Sequence, residues 1–168
     1  LEGLGYGCHD NGLTLGLNAQ MWTVQLPLGE FGTEEVKQKY LKPLALGTII
    51  GSHAVTEVEA GSDTAAMKTE ATKVAGGYLL TGSKCFVTLA PISDIVIVFA
   101  RTNPKMGRWG ISAFVVECAA EGCAITRTWE KMGMRTVPMG DIHLDACFVK
   151  DAQLLGSEGS GFSILNHA

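Results

Sequence analysis

The hydrophobic pattern of the chain changes to a period of two from residue 49 onward, which is the period of a β-strand with one buried face. Strand-like segments lie near residues 50–57, 68–75, 78–88, 94–101, 110–117, 123–129 and 141–149. Turn-forming residues separate several of them, including Gly76-Gly77, Asn103-Pro104 and Glu121-Gly122. Ile95 to Phe99 is continuously apolar, as expected for a strand that is covered on both faces. Seven short strands without intervening helices predict an antiparallel domain that is closed like a barrel or packed as a sandwich.

Two helices are predicted ahead of these strands. In the first, apolar residues recur at spacings of three or four, so we expect one buried face formed by Leu13, Leu17, Met21, Val24 and Leu28. Asp10 or Asn11 is a suitable N-cap, and Pro27 is expected to kink the end of this helix. The second helix begins after Thr33. Its buried stripe is formed by Val36, Tyr40 and Leu44. The predicted fold class is therefore α+β.

Two of the predicted strands end in small, hydroxylated residues. Residues 53–56 are extended, and the segment 60–63 then turns with its backbone N–H groups exposed. Gly82 opens the second strand, in which apolar side chains alternate up to Thr88. Thr56 and Thr88 thus stand at strand ends, where a rigid sheet can present their hydroxyls to a ligand. The alternative is that each threonine is only a β-forming residue beside a turn.

Both segments resemble motifs of the acyl-CoA dehydrogenase family. HAVTEVEAGSD, residues 53–63, resembles the T-E-P-x-A-G-S-D motif, and GSKCFVT, residues 82–88, resembles the G-x-K-x-[WF]-[IV]-[TS] strand. Val58 stands where the family usually has proline, so the turn is expected to be less rigid. KMGMRTVPM, residues 131–139, resembles the K-x-G-x-R-[ST]-[ST] turn of the same domain. This segment looks most like homologues from secondary metabolism, some of which oxidise acyl groups on an acyl carrier protein.

The resemblance extends over nearly the whole chain and implies how the chain is divided. FGTEEVKQKYLKPLALG is similar to the last helix before the β-domain of the family, and LGSEGSGF is similar to the start of its C-terminal helical domain. We therefore expect residues 1–48 to end an N-terminal helical domain. Residues 49–155 are expected to form the barrel-like middle β-domain, and residues 156–168 to begin a C-terminal helix. On this basis, we expect the chain to be a piece of a longer protein.

The resemblance also assigns residues to the FAD cofactor of the family. The backbone of Val55 and the side chain of Thr56 would donate hydrogen bonds to the pyrimidine side of the flavin, where reduction places negative charge. Thr88 would form a hydrogen bond near N5. Phe86 would pack against the ring at a position where many relatives have tryptophan, and so would keep the apolar wall without the indole N–H.

The implied substrate is an acyl-CoA or acyl-carrier-protein thioester that undergoes α,β-dehydrogenation. Gly61 and Ser62 would lie near its pantetheine or pyrophosphate, because a glycine backbone permits close approach. Electrons would pass to an electron-transferring flavoprotein or to oxygen, and the intact protein would be a homo-oligomer, either a dimer or a tetramer. The catalytic base of the family is a carboxylate in the C-terminal helical domain. We therefore expect no catalytic residue in this chain and no turnover by this chain alone.

Composition and the spacing of cysteines and histidines argue against nucleic acid, a membrane span and a metal ion as partners. The chain has 13 basic and 17 acidic residues without a basic cluster, which argues against nucleic acid. No apolar run approaches the roughly 20 residues of a membrane span. The five cysteines lack metal-site spacing, which favours reduced thiols and a cytoplasmic location, or the mitochondrial matrix in a eukaryote. His53 and His143 each stand alone, which favours structural roles, and Glu57 and Glu59 are expected to face solvent.

Two further functions stay open on the sequence. A flavin-dependent monooxygenase or oxidase would use the same fold and differ in residues beyond this chain. A β-barrel binding module that has lost flavin chemistry is the third possibility. Val58, Phe86 and Leu89 favour it, because many relatives have proline, tryptophan and asparagine at these positions. The presence of Thr56 and Thr88 counts against it.

Overall fold

The computed structural model describes residues 2–167, in which six short helices pack against an eight-stranded sheet. Helix α1 (Glu2–Gly7) precedes α2 (Asn11–Gln20), whose N-cap is Asp10, as the sequence predicts. The Asp10 carboxylate accepts a hydrogen bond of 3.0 Å from the Leu13 N–H. The helical path continues through a π-helical turn, Met21–Gln25, into α3 (Leu26–Phe31). Pro27 lies in the first turn of α3, so the wider π-helical turn accommodates a residue that has no N–H to donate.

The second predicted helix is likewise one helical path with a π-helical turn in its middle. It consists of α4 (Glu34–Val36), the π-helical segment Lys37–Leu41 and α5 (Lys42–Leu46). The Thr33 hydroxyl accepts a hydrogen bond from the Val36 N–H, which confirms the predicted N-cap. The predicted stripe of Val36, Tyr40 and Leu44 is buried.

The strands lie close to their predicted positions. They are β1 (Gly51–Ala54), β2 (Glu70–Val74), β3 (Gly77–Thr88), β4 (Ile95–Arg101), β5 (Ile111–Glu117), β6 (Cys123–Thr128), β7 (Met139–Lys150) and β8 (Leu154–Leu155). Their order in the sheet is β6-β7-β3-β2-β4-β5-β8. The short β8 is the one strand that the sequence did not predict. The segment after it leads into α6 (Gly161–Leu165), the predicted start of a helix.

Two features of the sheet differ from the predicted antiparallel domain, which was expected to be closed like a barrel or packed as a sandwich. Within residues 2–167 no pairing joins the terminal strands β6 and β8, so the sheet stays open. Strand β1 pairs in parallel with residues 95–98 of β4, and β2 meets β4 in parallel at Arg101, so the sheet is mixed. Both features depend on which strands pair across long sequence separations. The alternation of apolar residues along one strand does not show this.

The core has two apolar layers, one on each face of β4. Ile95, Ile97 and Phe99 belong to the layer that includes the helices, together with Val24, Leu28, Val36, Tyr40 and Leu44. Val96, Val98 and Ala100 belong to the other layer, which the curved sheet encloses with Leu80, Phe114 and Ile142. The continuous apolar run of β4 is therefore covered on both faces, as predicted.

The buried face predicted for the first helix is correct for its second half alone. Val24 and Leu28 are fully buried, but Leu13 and Leu17 are 49% and 44% exposed. No element within residues 2–167 covers this half of the face, which forms one side of an apolar groove.

No helix in the described residues is long and apolar enough to cross a bilayer. The domain boundaries at 48/49 and 155/156 stay predictions.

Candidate functional site

Thr56 is held beside strand β3 by its backbone. Strand β1 ends at Ala54, and the chain continues in an extended form through Val55 and Thr56. The Thr56 carbonyl accepts a hydrogen bond of 2.9 Å from the Cys85 N–H. Val55 packs against the helix-facing core, whereas the Thr56 side chain is half-buried. This places the end of β1 next to the strand that carries Phe86 and Thr88.

A tight turn follows Thr56. The N–H of Glu57 donates to the Ala60 carbonyl at 3.0 Å, and the N–H of Ala60 donates back to the Glu57 carbonyl at 3.1 Å. Val58 lies at the tip of the turn with 90% of its surface exposed. Gly61 and Ser62 are exposed beyond the turn. A Cβ added to Gly61 would meet no atom within 4 Å, so nothing in the described chain requires glycine there.

A buried ion pair lies beneath this turn. The ammonium of Lys84 donates to Oε1 of Glu57 at 2.8 Å and to the Val55 carbonyl at 3.0 Å. The Glu57 carboxylate also accepts hydrogen bonds from the Lys68 N–H and from both the N–H and the hydroxyl of Thr69. The Lys84 side chain has no exposed surface, and that of Glu57 is 9% exposed. The prediction that Glu57 faces solvent is therefore wrong, while Glu59 is exposed as predicted.

The buried environment and the ion pair shift the pKa values of both Glu57 and Lys84. Burial alone would raise the pKa of Glu57, but the hydrogen bonds from Lys84, Thr69 and Lys68 outweigh it and leave that pKa lowered. Burial lowers the pKa of Lys84, and the Glu57 carboxylate opposes this effect. The cluster ties three segments of the chain together directly beneath Thr56.

Phe86 is presented to solvent by an unusual backbone conformation. Its φ angle is +56°, and 52% of its surface is exposed. Its N–H donates to Oδ1 of Asp141 at 3.0 Å, and the same oxygen accepts from Nε1 of Trp129 at 2.7 Å. The Phe86 and Trp129 rings pack against each other at a tilt of 35° with their centroids 4.8 Å apart, and the Arg127 guanidinium lies 3.6 Å from the centre of Trp129. A positive φ costs a non-glycine residue free energy, and the hydrogen bond to Asp141 opposes this cost.

Thr88 ends strand β3 at the wall of a small pocket of about 130 Å³. The next residue, Leu89, is buried and has a φ of +67°, where many family members have asparagine, a residue that tolerates this conformation. Neither the Thr88 hydroxyl nor that of Thr56 has a hydrogen-bond partner within residues 2–167. Both groups are therefore free to bond to something outside the described chain.

The two predicted structural histidines differ. His53 lies on β1, and its ring packs edge-on against Phe99 with centroids 5.0 Å apart. Burial, reinforced by the charge of Lys84, lowers the pKa of His53 to about 4. His143 is exposed and lies 2.9 Å from the Ser83 hydroxyl. The described residues contain no group of three or more side chains suited to a metal ion.

Two larger cavities lie nearby. One of about 390 Å³ is lined by Trp129, Lys131 and Arg135, and the Arg135 guanidinium donates to the Lys131 carbonyl at 2.8 Å. The other, about 280 Å³, is the apolar groove of α2, bounded by Leu13 and Val137. Sequence reasoning missed both cavities, and also the Lys84–Glu57 cluster. The lysine in the middle of the strand motif, between Ser83 and Cys85, was the signal that pointed to the cluster.

Comparison with known proteins identifies relatives of this chain. Residues 52–147 match the middle domain of acyl-CoA dehydrogenases. The chain is 39% identical over 166 residues to an L-prolyl-[peptidyl-carrier protein] dehydrogenase of Serratia sp., covering 99% of this chain and 43% of that protein. It thus spans less than half of the length of that relative.

Two solved structures share the fold closely. The crystal structure of the prolyl acyl carrier protein oxidase AnaB superposes with a TM-score of 0.95 at 45% identity, covering 98% of this chain and 44% of that one. PigA with FAD and proline superposes with a TM-score of 0.97 at 38% identity, covering 99% and 43%.

Proposed function

The chain belongs to the acyl-CoA dehydrogenase family, and from this we propose that it forms the flavin- and thioester-binding part of an enzyme for α,β-dehydrogenation of acyl thioesters. The observation that carries the proposal is the pair of unpartnered hydroxyls, Thr56 and Thr88, at two adjoining strand ends beside the exposed ring of Phe86. Hydroxyl donors next to an aromatic face suit a flat, polar-edged ring such as flavin. The relatives named above include a structure with FAD.

The residues present fit a flavin. The Lys84–Glu57 cluster fixes the backbone of Val55 and Thr56, so donors there are oriented before any ligand arrives. Phe86 offers an exposed aromatic face whose backbone is fixed by Asp141. When bound, FAD would accept the hydride that leaves the β-carbon of the acyl group. Val55 and Thr56 would hold the pyrimidine side, Phe86 would cover the ring, and Thr88 would donate a hydrogen bond near N5.

The proposed substrate is an acyl group on a carrier protein, with acyl-CoA as the alternative. The support is the identity of the relatives, since two of the three act, by name, on carrier-protein substrates. Gly61 and Ser62 would lie along the pantetheine arm, which both thioesters share, and their exposure leaves room for it. The α-proton would be removed by a base supplied by the rest of the intact protein.

The electron acceptor is proposed to be an electron-transferring flavoprotein or oxygen. One relative is named a dehydrogenase and another an oxidase, so oxygen use is a specific second candidate. The intact protein is proposed to be a homo-oligomer, and a cytoplasmic location stays a prediction. The exposed half-face of α2, with Leu13 and Leu17, is proposed to be covered by other parts of the assembled enzyme.

The test uses the full-length protein with Thr56→Val and Thr88→Val, since valine keeps the shape of threonine and removes the hydroxyl. Each substitution is expected to weaken FAD binding by roughly tenfold, about the value of one hydrogen bond. Thr72→Val, an exposed threonine on β2, is the matched control and should leave affinity unchanged. A folded parent that binds no FAD would overturn the proposal.

The substrate and acceptor are then separated by turnover assays. Flavin bleaching by a prolyl carrier-protein thioester, compared with the same acyl group on CoA, distinguishes the two carriers. Oxygen consumption during turnover distinguishes an oxidase from an enzyme that requires a flavoprotein acceptor.

A further inference from the structure

The peptide group between Val55 and Thr56 has one polar end bonded and the other free. Its carbonyl oxygen, which belongs to Val55, accepts a hydrogen bond of 3.0 Å from the ammonium of Lys84. Its N–H, which belongs to Thr56, donates to no acceptor within residues 2–167. The carbonyl and the N–H of a trans peptide point in opposite directions, and no cis peptide bond occurs in the described chain. The N–H therefore points away from the ammonium and is available to a ligand.

The surroundings of Lys84 suit an ammonium ion and not a neutral amine. An ammonium has three N–H donors and no acceptor. Those of Lys84 face three acceptors, which are the Val55 carbonyl, Oε1 of Glu57 at 2.8 Å and the sulfur of Met67 at 3.9 Å. A neutral amine would turn its lone pair toward one of them. Burial lowers the pKa of Lys84, but the Glu57 carboxylate opposes that effect. The contacts therefore place a positive charge beside the Val55 carbonyl.

This charge is confined to the protein interior. The Lys84 side chain has no exposed surface within residues 2–167, so no ligand touches it and salt screens it little. The Glu57 carboxylate partly cancels its field. That carboxylate bonds to Lys84, to Thr69 and to the Lys68 N–H, however, and not to the peptide. The ammonium is thus the charged group that contacts the peptide directly.

A cation on a peptide carbonyl strengthens the N–H of the same peptide. Hydrogen bonds in a chain polarise one another by roughly 10–30% per bond, and bonds from charged donors are the strong ones. The ammonium draws electron density toward the Val55 oxygen and leaves the Thr56 N–H more positive. That N–H gains most toward an acceptor that carries negative charge. It therefore distinguishes a charged ligand from a neutral one.

We propose that Lys84 raises the reduction potential of the bound flavin through the Val55–Thr56 peptide. This rests on the proposed function, in which Thr56 holds the pyrimidine side of the ring. Reduction places negative charge on that side, so a strengthened N–H stabilises the reduced state more than the oxidised one. A higher potential favours hydride transfer from the acyl group. Lys84 is a positioning residue, since it acts through a backbone donor and contacts neither substrate nor flavin.

The test compares two double variants of the full-length protein by spectroelectrochemical titration of the bound FAD. Lys84→Met/Glu57→Gln removes the buried pair without a change in net charge. It should lower the affinity for reduced relative to oxidised FAD by about three- to tenfold, a fall of about 15–30 mV for a two-electron couple. Lys68→Met/Glu59→Gln makes the same substitutions in the exposed pair beside the same turn. It should leave the potential unchanged.

The potential separates an effect of charge from a structural effect. A loosened site binds oxidised and reduced FAD more weakly by the same factor, which leaves the potential unchanged. The fall should also persist in a Thr56→Val background, because the backbone N–H carries the effect and the hydroxyl does not. An unchanged or raised potential in Lys84→Met/Glu57→Gln overturns the inference, and so does a fall that disappears with Thr56→Val.

Glu57→Gln alone provides a second variant if the double variant holds no FAD. It removes the charge that opposes the ammonium, so the potential should rise, and measurement at about pH 6 favours the charged form of Lys84. A potential that stays at the wild-type value or falls contradicts the inference. A folded wild-type protein that binds no FAD overturns the proposed function and the inference with it. FAD that binds with a potential independent of Lys84 overturns the inference alone.

Discussion

The ammonium nitrogen of Lys84 lies 2.8 Å from Oε1 of Glu57, and the two side chains are removed from solvent beneath the turn that carries Thr56. This pair joins strand β3 to the end of β1, and through Thr69 to the start of β2. It is the main polar contact in the described chain that connects the two strand ends of the proposed flavin site. The stability of the site therefore depends on a charge pair that the solvent cannot replace.

Lys84→Met should destabilise the protein by about 3–5 kcal/mol, because it leaves the Glu57 carboxylate buried without its cation. The double variant Lys84→Met/Glu57→Gln should recover a large part of that loss, since no unpaired charge remains and the amide oxygen still accepts hydrogen bonds from Thr69. Urea unfolding of the three proteins measures the difference. Lys68→Met is the control, because its pair with Glu59 is about 70% exposed on both sides and should contribute less than about 1 kcal/mol. Equal effects at Lys84 and Lys68 would contradict the buried-pair account.

His53 should make stability depend on pH in a defined window. Its folded pKa, about 4, is lower than the ordinary value of 6.5, so the unfolded chain takes up the proton first as the pH falls. The contribution of His53 is therefore intact above pH 6.5 and is lost progressively between pH 6.5 and about 4, by up to about 3 kcal/mol. The difference in unfolding free energy between wild type and His53→Phe isolates this effect from the carboxylates. A difference that does not vary with pH would show that His53 titrates normally.

Much of the fold could be predicted from the sequence because it is encoded locally. The strand β4 was identified by its own apolar run, and the N-caps Asp10 and Thr33 by their own side chains. Glu57 could not be placed in the interior, because its burial depends on Lys84, 27 residues away, and on Thr69. Of the two predicted arrangements, a closed barrel or a sandwich, the closed one is not formed within residues 2–167, and local sequence could not decide this because closure depends on the edge strands β6 and β8.

For the candidate site, the sequence identified the residues but not the contacts that position them. The motif residues Thr56, Phe86 and Thr88 were named from sequence, and their roles toward FAD stay proposals. The positive φ of Phe86 and its contact with Asp141 were not foreseeable, because Asp141 lies on another strand. The exposure of Leu13 has no local sequence signal either, because its helical spacing is the same as that of a buried face.

Glycine at position 82 should be far less replaceable than glycine at position 61, although both belong to the recognised motifs. At Gly82, with a φ of +153°, an added Cβ would lie 2.5 Å from the Thr69 hydroxyl oxygen and 2.7 Å from the Thr69 Cα. Gly82→Ala is expected to destabilise the protein by more than about 2 kcal/mol, because a backbone atom cannot move aside cheaply. Gly61→Ala should leave stability within about 0.5 kcal/mol. Thermal unfolding of both variants measures the loss of stability. A Gly82→Ala protein that is as stable as the wild type would contradict this packing.

Asp141 should control the presentation of Phe86. Its Oδ1 atom accepts from the Phe86 N–H and from Trp129 Nε1, so Asp141→Ala removes the two contacts that hold the positive φ and the ring stack. Near-UV circular dichroism should lose the signal of the stacked pair, and FAD affinity of the full-length protein should fall by roughly tenfold. Asp141→Asn keeps an acceptor oxygen and should retain most of both properties. Asp145→Ala, at an exposed position on the same strand, should change neither. If Asp141→Ala lost the aromatic signal but bound FAD normally, Phe86 would have no part in holding the flavin.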